Sequence, residues 1–82
     1  MTDLIIKSGW NEWQRGPAVP ESADAVQIRE TRRAFYGGAQ CVMTAIVKAL
    51  EDPEPSKAIK ALLIETDDEL REFFEAVQAG RY

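Results

Sequence analysis

The side chains that could do chemistry fall into two groups. Six carboxylates crowd one stretch, Glu65, Asp67, Asp68, Glu69, Glu72 and Glu75, and three guanidinium groups lie together upstream at Arg29, Arg32 and Arg33. Carboxylates can serve acid–base catalysis or hold a hard cation, but either use needs the groups to converge on one point. These acids are ordered by helix position instead, and the EF-hand spacing is missing. Acids in a first helical turn also favour the positive end of the helix dipole, so a solvated face is a sufficient explanation for them. The chain has no histidine. The usual base near neutral pH is therefore absent, and so are Ser-His and Cys-His nucleophilic pairs. One cysteine, Cys41, can form neither an internal disulfide nor a cysteine-rich zinc site. Gly37-Gly38 lacks the lysine of a phosphate-binding loop.

These residues point away from an enzyme, a metal and a cofactor, and toward contact with another protein. The functional reading of the acids is a docking face, Glu65, Asp68, Glu69, Glu72 and Glu75, that meets a basic protein surface. The arginines give a weaker signal. Arg32 falls near the edge of an apolar arc, which predicts a structural ion pair with Glu69 or Glu72. A nucleic-acid contact through Arg29, Arg32 and Arg33 is the second alternative, disfavoured because no exposed aromatics or further lysines flank them. Net charge is −4. Residues 1–40 hold five acids and five bases, and residues 41–82 hold nine acids and five bases, so the excess lies in the second half. Such a surface repels nucleic acid.

The elements that must position these groups centre on Glu30 to Leu50. Ile28, Phe35, Ala39, Val42, Met43, Ile46, Val47 and Leu50 recur at helical spacing. Beside them runs a stripe of small residues, Ala34, Gly38, Cys41, Ala45 and Ala49, where a second backbone could approach closely. The stripe predicts that the helix is an interior rod with Cys41 buried, flanked by the chain's own later helices. The alternative is a structural or assembly homodimer whose seam is the face of Ala34, Gly38, Cys41 and Ala45. Gly37 and Gly38 each weaken a helix interior by ~1 kcal/mol, which suggests close packing or a bend there.

The composition is that of one ordered domain, residues 1–82. Residues 1–20 read as an irregular segment. Leu4-Ile5-Ile6 could be a strand but has no partner strand, and Gly16 to Pro20 reads as a linker. Trp10 and Trp13 stand three apart, either capping the core or leaving one ring as a partner anchor. The central helix is expected over 21–51, with Ser22 as its cap, and Asp52-Pro53-Glu54-Pro55 ends it. A second helix is expected over 56–64. A third is expected over 66–79, opened by the box Thr66-Asp67-Asp68-Glu69 and closed by Gly80. The predicted fold is all-α, a small helical domain with a long central helix packed on a C-terminal helical pair. No apolar run could cross a membrane and no leader is visible, so a cytoplasmic location is expected.

The segment Arg32-Arg33-Ala34-Phe35-Tyr36-Gly37-Gly38-Ala39 resembles an Arg-x-x-Phe-Tyr-x-Gly-Ala motif that opens the central helix of small phage- and prophage-encoded proteins. Asp68-Glu69-Leu70-Arg71-Glu72-Phe73 is similar to their acidic C-terminal helix. The resemblance spans roughly Arg29 to Phe74. It implies a phage-borne accessory protein in the host cytoplasm, but no reaction. Small proteins of that origin often bind a host protein, anti-CRISPR inhibitors being one such class, so a host protein is the expected partner by analogy.

Overall fold

The apolar repeat at the centre of the chain forms one uninterrupted helix. The computed structural model describes residues 4–16 and 19–81. Three helices follow in order: α1, Ile5–Trp13; α2, Ala25–Leu50; α3, Pro55–Gln78. The fold is all-α among the described residues, and the long central helix packs against the C-terminal one. The chain divides into two compact units, Met1–Val42 and Met43–Tyr82.

In the first unit, residues 1–20 are not irregular throughout: Ile5–Trp13 is helical. A lone strand at Leu4-Ile5-Ile6 would leave its backbone unpaired, whereas a helix satisfies its own. The helix also places Trp10 and Trp13 on one side, their ring centroids 5.9 Å apart. Both rings meet Phe35, at 5.6 and 5.4 Å. Trp10 is 2% exposed, the most deeply buried of the large side chains among the described residues. Gly9 lies beside this cluster, where an added Cβ would come 3.5 Å from the Phe35 ring. The Pro17-Ala18 part of the expected linker lies outside the described residues.

The start of α2 is set by Asp24, not Ser22. Asp24 Oδ1 accepts the Gln27 N–H at 2.8 Å, and Gln27 Oε1 accepts the Asp24 N–H at 2.9 Å. That reciprocal pair satisfies two donors that would otherwise be orphaned at the helix end. The helix consequently starts at Ala25, four residues later than expected.

In the second unit, α2 ends at Leu50 and a short turn follows in which Asp52 Oδ1 accepts the Glu54 N–H at 2.9 Å. Pro55 then opens α3, where a missing N–H costs nothing. The expected pair 56–64 and 66–79 is one helix. Thr66 matches a capping box by type, but α3 has already run about three turns there, so its backbone donors have partners. Asp67 and Asp68 instead pair with Arg71 on the following turn. The far end closes as expected at Gly80, whose φ of 77° no side-chain-bearing residue adopts readily. The Gly80 N–H reaches the Val77 carbonyl and the Arg81 N–H reaches that of Ala76, capping the last turn.

The expected interior rod is not one. No residue of α2 is buried, and Cys41 is exposed. Periodicity identifies an apolar face correctly, but covering it takes a neighbour on that side. The paired glycines likewise mark neither tight packing nor a break, since nothing lies within 4 Å of a Cβ built at Gly37 or Gly38.

Candidate functional site

The second unit carries both the predicted acidic residues and the exposed apolar side chains of α3. Its two helices are joined by a four-residue turn and pack as antiparallel neighbours. The half-buried residues mark the contact: Ala45, Ile46 and Ala49 on α2, and Ala58, Ile59, Leu62 and Thr66 on α3. The small side chains Ala45 and Ala49 therefore serve the chain's own hairpin. Ala34, Gly38 and Cys41, further up the same stripe, are exposed.

Around α3, successive residues turn by about 100°. Leu63, Leu70, Phe74 and Val77 fall within about 60° of arc, and every one of them is exposed. The predicted acidic residues Glu65, Asp68, Glu69, Glu72 and Glu75 occupy an arc centred roughly 170° away, and all are exposed. The structure thus places the five acids on one side of one continuous helix, where a break at Glu65 would have split them. On the last turns of α2, Met43, Val47 and Leu50 are also exposed, offset from the helix contact in the same sense. On antiparallel helices, equal offsets put both apolar stripes on one side of the hairpin and the acids on the other.

Helical spacing alone marks Leu70, Phe73, Phe74 and Val77 as an apolar stripe; its exposure and its continuation back to Leu63 are what the structure adds. The signal for that continuation was present in the spacing of seven between Leu63, Leu70 and Val77, which becomes visible only when α3 is taken as unbroken. Phe73 and Phe74 meet edge to face, with centroids 5.3 Å apart. Phe73 also borders a shallow concavity with Glu69, Glu72, Ala76 and Arg81.

The arginine cluster behaves differently from expectation. Arg32 is exposed and its guanidinium lies 5.6 Å from the Tyr36 ring centroid, a surface cation–π contact. An exposed guanidinium keeps its hydration and needs no buried carboxylate, so the reason for the predicted ion pair is gone. Arg33 pairs with Glu30 one turn back at 3.4 Å. Arg29 is exposed on the same helix. Among the described residues, no three Asp, Glu or Cys side chains gather as metal ligands would, and no helix is long and apolar enough to cross a membrane. Comparison with protein-family models, curated proteins and solved structures finds no match to this chain.

Proposed function

We propose that this chain is a non-enzymatic accessory protein that acts by binding another protein. The observation that carries the reading is the segregation on α3: five exposed carboxylates on one side, apolar side chains on the other. Such a face suits a partner with a basic surface, because complementary charge steers the encounter and rejects like-charged competitors. The resemblance of Arg32 to Ala39 supports a phage or prophage origin and hence a host target in the cytoplasm, with inhibitors of the anti-CRISPR kind as one class of such proteins.

The test is capture of a partner from host lysate, repeated with the triple variant Glu65→Lys, Asp68→Lys and Glu69→Lys. These positions are exposed, so the variant should fold normally. The partner is expected to be lost both with the variant and at about 0.5 M salt, where exposed charges are screened. A partner held equally by both proteins would remove the acidic face from the proposal.

A further inference from the structure

The first unit carries a feature that the acidic residues of α3 do not explain. The first turn of α1 and the middle of α2 border an open groove lined by Leu4, Ile5, Ile6, Lys7 and Tyr36, with a volume of about 400 Å³. Its walls are apolar, and Leu4 at 70% and Ile5 at 73% are the most exposed large hydrophobic side chains described. Its charge is of one sign. Lys7 lines it, and the first turn of α1 holds no acid. The Arg32 guanidinium lies 5.6 Å from the centroid of the Tyr36 ring, the same ring that borders the groove. Among the described residues, neither Lys7 nor Arg32 is paired with a carboxylate. The groove is also fixed in advance. Phe35 meets Tyr36 edge to face at 6.2 Å and packs on Trp10 and Trp13, so one aromatic core holds both helices that border it.

We infer that this groove takes a short segment of a partner protein in which a large apolar side chain stands next to Asp or Glu. A small molecule is held by enclosure, with roughly 70–90% of its surface buried. Walls as exposed as Leu4 and Ile5 cannot enclose one. A chain segment laid across the groove needs only one side chain seated against those walls, while its flanks stay in water. The two cations decide what those flanks carry. An acidic segment finds Lys7 and Arg32 beside the apolar surface and is steered to it, whereas a basic segment is repelled. Both ion pairs would remain exposed, so they select the segment more than they tighten its binding. A groove already fixed by its core costs less ordering when it is filled. The inference does not depend on the acidic face of α3, which calls for a partner surface of the opposite sign.

An array of random peptides probed with the labelled full chain tests it, with affinities of the retained peptides then measured by fluorescence anisotropy. A set of retained peptides should carry Asp or Glu within two positions of Leu, Ile, Phe or Trp. Their binding should be lost with Ile5→Asp and weakened about three- to tenfold by Lys7→Glu and by Arg32→Glu. Basic peptides held by the acids of α3 should bind all three variants unchanged, so that failure of one surface is read separately from failure of the other. Should Ile5→Asp alter the tryptophan fluorescence of the core, the two charge reversals decide, since Lys7 and Arg32 are exposed and their replacement leaves the fold intact. The proposal is overturned if no retained peptide responds to these variants, or if those that respond carry no acid. Dodecanoate bound more tightly than any peptide, and lost with the same three variants, would also overturn it by giving the groove to a small amphiphile.

Discussion

The first unit buries a tryptophan, whereas the second, of almost equal length, buries nothing larger than an alanine among the described residues. Trp10 is enclosed because α1 and α2 bring three aromatic rings within 6 Å of one another. Each such ring removes ~150–250 Å² from water, enough to anchor a helix of nine residues that could not persist alone. The second unit has a 24-residue helix with a well-formed C-terminal cap, yet leaves its apolar stripe open. Order there comes from local backbone devices, and the large side chains of the stripe stay exposed.

The contrast makes Trp10→Ala the most damaging substitution. It should destabilise the first unit by about 3–5 kcal/mol, read as loss of α1 and a shift in fluorescence of Trp13. Phe74→Ala, on the open face, should cost less than ~0.5 kcal/mol in a chain kept dilute. Comparable losses at the two positions in dilute chemical denaturation would mean that Phe74 is covered within one chain.

Smaller effects separate local from tertiary support. Asp24→Ala should lower stability by ~1 kcal/mol through loss of the reciprocal cap, whereas Ser22→Ala should do nothing measurable. Gly38→Ala should raise stability by about the same amount, since a Cβ there meets open space. A destabilised Gly38→Ala would show that something packs on the small-residue face of α2. Arg71→Ala should cost no more than ~0.5 kcal/mol, because its pairs with Asp67 and Asp68 are exposed.

Much of the architecture was legible in the residues. The helical periods from Ile28 to Leu50 and from Leu70 to Val77, the break at Asp52 to Pro55 and the stop at Gly80 all follow from local chemistry, and they stand where expected. What local chemistry could not settle was competition between equivalent signals. Ser22 and Asp24 are both good caps, and only the reach of Gln27 back to Asp24 decides between them. Thr66 to Glu69 is a cap by type overridden by a helix already under way. Helix α1 depends on Phe35, twenty-two residues beyond Trp13, and such a contact has no local signature. The acidic residues were readable as one face and the stripe from Leu70 to Val77 as another, but the expected boundary at Glu65 hid the continuation of that stripe to Leu63. The burial expected for Cys41 failed for a related reason: a pattern states which side of a helix is apolar, and the tertiary neighbours decide what covers it.

Amide hydrogen exchange on the dilute single chain, read separately for α1 and α3, addresses the difference between the two units most directly. The amides of α1 around Trp10 should open only with the first unit as a whole, while those of residues 55–78 should exchange faster through local opening. Full protection of α3 where the mass is that of a single chain would contradict an open second unit.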